Sequence, residues 1–215
     1  SDAHAPAVFS LSTFESGTRA EESTFRAHEA TRDKKTNPFI HLYESNLIPS
    51  ENWQDYDVVG ISIIGISQII PGLTLARQLK EKFPHLHITL GGPIFSVNAG
   101  QLIGHPEFFD DFCHSIVTFE GEEPMHRLLT ALKAGDALST VPNLIHLEER
   151  EVVHNKERVE LRFEEIPGPT FDGLPMHSYL SPYPIIPVLQ SRGCYWGKCT
   201  FCTHSFVYGH RYGKQ

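Results

Sequence analysis

The spacing of apolar residues changes several times along the chain, and each spacing predicts an element. Residues 1–38 hold few apolar positions and no clean period. The charged stretch from Ala20 to Lys35 suits a solvated helix, weakened by its Thr and Asp residues. Phe39, Leu42, Tyr43 and Leu47 then recur at helical spacing, which predicts a short amphipathic helix over 39–48 stopped by Pro49. After Asp57 comes a nearly unbroken apolar, β-branched run, Val58-Val-Gly-Ile-Ser-Ile-Ile64, the pattern of a parallel strand covered on both faces. A helix over 71–83 follows, with Pro71 in its first turn, Ile69, Leu73, Ala76, Leu79 and Phe83 on one face, and Pro84 ending it.

A second strand over 87–90 closes on Gly91-Gly92-Pro93. Strand, helix and strand within so short a span make a βαβ unit, hence a right-handed crossover and a parallel sheet. The third strand, 115–119, ends in Glu120-Gly121-Glu122 and feeds a helix over 123–134. Met125, Leu128, Leu129 and Leu132 form its expected buried stripe, and Gly135 its stop. From Pro142 the pattern turns antiparallel: 143–148 and 152–155 read as a hairpin turning at 149–151. Pro167, Pro169, Pro175, Pro182, Pro184 and Pro187 then preclude helix and central strand, so an extended connector follows. Residues 185–190 read as a short strand. The fold class is α/β: a doubly wound (flavodoxin/Rossmann-like), mostly parallel sheet, followed by a β-hairpin and a Pro-rich linker.

Composition narrows the function classes. With 40% hydrophobic and 20% charged residues the 215-residue chain has an ordinary globular balance. A formal net charge of −8 argues against nucleic acid as a partner, because phosphate binding needs clustered Lys and Arg. No stretch approaches the roughly 18 consecutive apolar residues of a membrane span, and the N-terminus lacks a charged-then-apolar signal pattern. The expected location is the cytoplasm. The 13 histidines are scattered, without an H-x-x-x-H or H-E-x-x-H pair.

The chemistry concentrates in Ser191-Arg-Gly-Cys-Tyr-Trp-Gly-Lys-Cys-Thr-Phe-Cys202. Three of four cysteines, Cys194, Cys199 and Cys202, fall there, and thiolates are the natural ligands of iron–sulfur clusters and of zinc. Gly193 and Gly197 supply backbone freedom where the loop must bend. Three thiolates leave one iron of a four-iron cluster without a protein ligand. The same cysteines with His204 or His210 would instead make a closed Cys3His zinc site, and three unligated buried cysteines are the plainest alternative. Cys113, distant in sequence, reads as a packed thiol. Three predicted strands end in glycine-bearing turns, Gly65, Gly91-Gly92 and Gly121, and in open α/β sheets ligands bind outside the carboxyl ends of the strands. Tight strand-to-helix turns alone would also select those glycines.

The cysteine loop resembles that of the radical S-adenosylmethionine enzymes, whose usual pattern is C-x3-C-x2-C with an aromatic before the last cysteine. Phe201 holds that aromatic position, and the first interval here is four residues, Tyr195 to Lys198. Over residues 39–210 the order Asp57-Val-Val-Gly-Ile-Ser-Ile, Leu90-Gly-Gly, Phe119-Glu-Gly-Glu, hairpin, proline linker and Ser-Arg-Gly-Cys loop resembles the cobalamin-binding subgroup of those enzymes. The resemblance implies a 4Fe-4S cluster on Cys194, Cys199 and Cys202, S-adenosylmethionine beside Phe201, and an external electron donor. It also implies cobalamin near Gly65, Ser67, Gly91, Gly92, Gly121 and Glu122, with a small-molecule or peptide substrate and radical chemistry that includes methyl transfer. Tyr195 and Trp196 would pack the loop or serve as core aromatics, and Arg192 would offset cluster charge or be a plain surface cation.

A D-x-H-x-x-G motif is absent, so the resemblance gives cobalamin no lower axial histidine. Two other readings stay open: a flavodoxin-like binding module with a structural zinc site, and a domain that has kept the shape but lost cobalamin. The expected divisions are a poorly patterned segment over 1–38, a cobalamin-binding-like domain over 39–140, hairpin and linker over 141–184, and the first strand and cluster loop of a barrel over 185–215. A barrel needs on the order of 200 residues, so the chain is expected to be a fragment, inactive alone and trimmed at its N-terminus as well.

Overall fold

The computed structural model describes residues 8–9, 14–15, 24–179, 181–189, 191–208 and 213–214. Five strands make the main sheet, in sequence order across it: β1 (Val58–Ser62), β2 (His87–Gly91), β3 (Ser115–Val117), β4 (Leu144–Glu148) and β5 (Glu151–His154). The first three run parallel, with Val58 beside His87 and Thr89 beside Ser115; β4 and β5 are antiparallel additions. The sheet is therefore mixed, and the hairpin completes it rather than following it. Contacts divide the chain into one unit ending at Val159 and another beginning at Glu160.

Strand side chains alternate between faces, and the core follows that alternation. Val59, Ile61, Ile63, Ile88, Leu90, Ile116 and Ile145 belong to one apolar cluster. It takes in Leu73, Ala76 and Leu79 of helix Ile69–Lys82, Phe95 of helix Pro93–Leu102, and Phe108 and Phe109 of helix Pro106–Asp111. Val117 and Leu144 join a second cluster with Leu128 and Ala131 of helix Glu122–Ala134. Helices thus cover both faces of the sheet.

Several expectations are corrected. The run at 58–64 was expected to be buried on both faces; it forms the edge strand β1, with Gly60 and Ser62 exposed. The helix predicted over 39–48 starts at Pro38, capped by the Asn37 side chain, which accepts the Phe39 N–H. It then passes through Pro49 instead of stopping there. A π-turn over Tyr43–Leu47 widens the helix just before the proline, relieving the clash its ring would make with the preceding turn. Leu129 is exposed, and Ala131 takes the buried place expected for it. The charged stretch at 20–35 contains helix Thr24–Ala30, which buries Ala27 and is not wholly solvated. Residues 20–23 lie outside the described ones.

Among the described residues of 156–189 the helical elements are 3-10 turns at Phe163–Glu165 and Met176–Ser178, and no strand forms. The strand expected over 185–190 is not formed: Ile185, Ile186, Val188 and Leu189 are exposed and unpaired in the described part, and Pro187 removes a ladder donor from its middle. Gln190 lies outside the described residues. Among the described residues no helix is long and apolar enough to cross a membrane.

Candidate functional site

The carboxyl ends of the three parallel strands form the first candidate site. Beyond β1, Gly65 is extended and leads into a 3-10 turn over Ile66–Gln68 that contains half-exposed Ser67. Gln68 Oε1 accepts the N–H groups of Ile64 at 2.8 Å and Gly65 at 3.3 Å, tying the loop to itself. Ile64 and Ile66 are each 65% exposed, and a Cβ added at Gly65 would meet nothing within 4 Å. An apolar, open ledge results, of the kind a large flat ligand can cover.

Beyond β2, Gly91 accepts the Ile63 N–H at 2.8 Å, and a Cβ there would sit in ordinary contact, 3.6 Å from the Val117 carbonyl. Gly92 is different. Its φ is 113° and an added Cβ would lie 2.2 Å from the Ile63 carbonyl oxygen, so packing against β1 alone requires glycine. Beyond β3, Gly121 caps helix Glu122–Ala134, and a Cβ would meet only Val117 Cγ1 at 3.8 Å. Glu122 is exposed in that helix's first turn, where a carboxylate complements the helix dipole. Gly65, Ser67, Gly91, Gly92, Gly121 and Glu122 therefore all lie at one edge of one sheet. At Gly92 the fold itself accounts for the glycine.

Sequence reasoning missed the residues that shape this edge. Phe119, directly after Thr118, has φ 62°, and Asn143 across from it has φ 54°. Thr118 gives both its N–H and its hydroxyl to the Asn143 carbonyl, at 2.9 and 2.8 Å. The Phe119 N–H is donated to Ser96 Oγ at 2.7 Å, and the Arg158 guanidinium lies 4.1 Å over the Phe119 ring. Asn is a common left-handed residue, so Asn143 carried a faint signal; a bulky aromatic carries none.

The cysteine loop is the second candidate. Ser191–Arg192 pairs antiparallel with Gly213–Lys214, and Gly193 (φ 84°) and Gly197 (φ 60°) turn the loop through left-handed backbone. Cys194 Sγ accepts the Gly197 N–H at 3.4 Å, and the Cys202 N–H is donated to the Cys199 carbonyl at 3.2 Å. All three thiols are free, Cys194 half-buried and the other two exposed, which removes the buried-cysteine reading. Tyr195, Trp196 and Phe201 are not core aromatics: they are 81%, 57% and 88% exposed. Lys198 Nζ lies 5.4 Å from the Trp196 ring centre.

Thiol donors with a backbone N–H already directed at one sulfur fit a thiolate-bound cluster in chemistry. The three sulfurs are not gathered, however: among the described residues no three His, Cys, Asp or Glu side chains are placed to hold one metal ion. His204 does not join them, its ring resting 4.7 Å from that of Tyr208, and His210 lies outside the described residues. Cys113 is fully buried in the main core, as expected of a packed thiol, and burial pushes its pKa up.

No protein-family model matches the chain. An uncharacterized methyltransferase from Pyrococcus horikoshii is 29% identical over 160 residues, covering 74% of this chain and 34% of that protein. Two structures of the radical S-adenosylmethionine methyltransferase TsrM from Kitasatospora setae are similar in fold. One, with cobalamin and a 4Fe-4S cluster bound, has TM-score 0.52 and 20% identity over 82% of this chain and 36% of that one. The other, with tryptophan substrate and an S-adenosylmethionine analogue bound, has TM-score 0.53 and 18% identity over 86% and 35%. At such identities the likeness speaks for the α/β fold. The chain spans 34% to 36% of the length of these relatives.

Proposed function

We propose that this chain carries the cobalamin-binding-like domain and the cluster loop of a radical S-adenosylmethionine enzyme that transfers methyl groups. The observation that carries the reading is the loop itself: three free thiols within nine residues, turned by two left-handed glycines, with its aromatic side chains left in solvent. A loop built for its own packing would bury Phe201 and Tyr195. The similarity to a methyltransferase and to the TsrM fold supports the same reading.

Cys194, Cys199 and Cys202 would hold the cluster, which when bound supplies the electron for cleaving S-adenosylmethionine; Phe201 would flank the adenine. At the sheet edge, a corrin would lie on the ledge of Ile64 and Ile66, over the open space at Gly65, with Ser67, Gly91, Gly92, Gly121 and Glu122 around it. An external reductant, a small-molecule or peptide substrate and a cytoplasmic setting complete the proposal. The test is anaerobic reconstitution with iron and sulfide. The expected product binds about four irons and four sulfides per chain. Stoichiometric zinc, or no metal retained, would overturn it.

A further inference from the structure

The turn from β3 into helix Glu122–Ala134 is made in four residues, and one of them is in a conformation its side chain disfavours. Left-handed backbone costs a bulky L-residue about 1–2 kcal/mol and persists only where neighbours hold it. Phe119 adopts it with φ 62°. On its strand side, Thr118 is pinned twice to the Asn143 carbonyl. On the other side, the chain must bury Glu120 and then present Gly121 and Glu122 at the sheet edge. The direction in which that loop leaves the sheet is set at Phe119.

Ser96 is the partner that holds Phe119. It lies in helix Pro93–Leu102, which springs from Gly91-Gly92, and it is 1% exposed. Its hydroxyl accepts the Phe119 N–H at 2.7 Å and can donate to the Gly92 carbonyl, 3.5 Å away. One buried side chain therefore joins the loop after β2 to the loop after β3. The Arg158 guanidinium, 4.1 Å over the Phe119 ring, adds a cation–π contact from a third segment. The other buried residues of the same helix, Phe95, Ala99 and Leu102, are apolar.

We propose that Ser96 is a positioning residue for the sheet-edge ligand site, holding the left-handed turn at Phe119 so that the Gly91-Gly92 and Glu120–Glu122 loops keep one fixed spacing for a corrin. This rests on the reading of that edge as a cobalamin site. Ser96 need not touch the ligand; it acts through Phe119.

The experiment is a titration of the full chain with hydroxocobalamin, followed by visible absorbance and by the circular dichroism induced in the bound corrin. Thermal melting by far-ultraviolet circular dichroism runs beside it. Ser96→Ala is expected to weaken binding about tenfold, the worth of one buried hydrogen bond, and to change the induced spectrum; Ser96→Thr, which keeps the hydroxyl, restores both. In a Phe119→Gly background, where the left-handed turn needs no support, Ser96→Ala is expected to cost less than about twofold further, the non-additivity of residues acting as a unit. Wild-type chain that binds no hydroxocobalamin overturns the cobalamin reading itself. Wild-type binding matched by Ser96→Ala, or an equal loss in the Phe119→Gly background, leaves that reading standing and overturns the role of Ser96. Should Ser96→Ala fail to fold, Ser96→Cys, which keeps the size and weakens the acceptor, takes its place: weaker binding with its melt unchanged supports the role, and binding as wild type overturns it.

Discussion

The two units use the same kinds of residue for opposite ends. Around the sheet, cysteine and aromatic side chains are consumed by packing: Cys113 is fully buried, and Phe108 meets Phe109 edge-on and Phe112 at a tilt within the main cluster. In the unit beginning at Glu160, Cys199, Cys202, Tyr195, Trp196 and Phe201 face solvent. Burial offsets the ordering of a side chain, so a residue that gains no burial owes its place to something else. On the function proposed above, that something would be ligation of a cluster by the three loop thiols. The difference teaches that a residue's chemistry is best argued where packing fails to explain it.

The sharpest way to break this contrast is to remove the thiols one at a time. Cys194→Ala, Cys199→Ala and Cys202→Ala are each expected to abolish stable iron loading, while Cys113→Ser leaves the iron content unchanged in chain that stays folded. Iodoacetamide should label three thiols in the native metal-free chain and a fourth only in denaturant, because burial keeps the Cys113 thiol both protonated and inaccessible. Iron loading that survives loss of Cys199 would show that the exposed loop is not the ligand set.

Glycines carry the same contrast into the sheet edge itself. Gly92 is explained by its neighbours and Gly65 is not. For Gly92→Ala, strain in a region only glycine favours adds to a Cβ forced against the Ile63 carbonyl, and together they should cost about 4 kcal/mol in denaturant unfolding. Gly65→Ala places its methyl in open space at φ −124° and should shift stability by less than about 0.5 kcal/mol. Its effect belongs to binding: hydroxocobalamin affinity should fall while the melting curve stays put. A destabilised Gly65→Ala, or a tolerated Gly92→Ala, would erase the distinction.

Much of the sheet was legible, and the limits have physical causes. The run from Val58 to Ile64 could be read as a strand because β-branched residues fit a pleated surface, yet its place at the sheet edge depends on which strands pair beside it, and no local residue encodes that. Gly135, at φ 74°, ends its helix as its type foretells. The hairpin's turn uses Glu149 and Arg150, both with positive φ, so its position came from the apolar runs around it and not from turn chemistry. Helix Pro93–Leu102 went unread although Phe95, Ala99 and Leu102 have helical spacing, because Gly92-Pro93 looks like a stop when it is a start. The cysteine loop was legible in ligand type, and the exposure of its aromatics was not, since apolar side chains alone imply a core. Ser96 and Phe119 had no signature at all: their link spans 23 residues and exists only once the sheet is built.

Acid should also separate the units, and the histidines at the amino ends of β2 and β3 say in which direction. His87 Nε2 meets Ser115 Oγ at 2.8 Å, His114 Nδ1 accepts the Ile88 N–H at 2.9 Å, and the two rings lie 5.2 Å apart. Burial first, then the Lys80 ammonium nearby, holds each imidazole down to about 4, with His87 adding to the effect on His114. An unfolded histidine titrates near ~6.5. Between those values the unfolded chain binds more protons than the folded one, so this stabilisation is complete above about pH 6.5 and is lost as pH falls through about 4. At ~1.4 kcal/mol per unit the loss reaches about 3 kcal/mol for His87 and less for the more exposed His114. Trp53, buried in the sheet unit, reports the loss by fluorescence once exposed Trp196 is replaced by Phe. His87→Gln with His114→Asn keeps a polar atom near each hydrogen-bonding position and removes both titrations, so its denaturation midpoint should fall distinctly less than the parent's between pH 7 and pH 4.5, the remainder belonging to His146 and His154, which burial also holds below the usual histidine range. If the double variant lost stability as steeply as the parent, acid would be acting elsewhere, and these two histidines would cease to distinguish the buried unit from the exposed one.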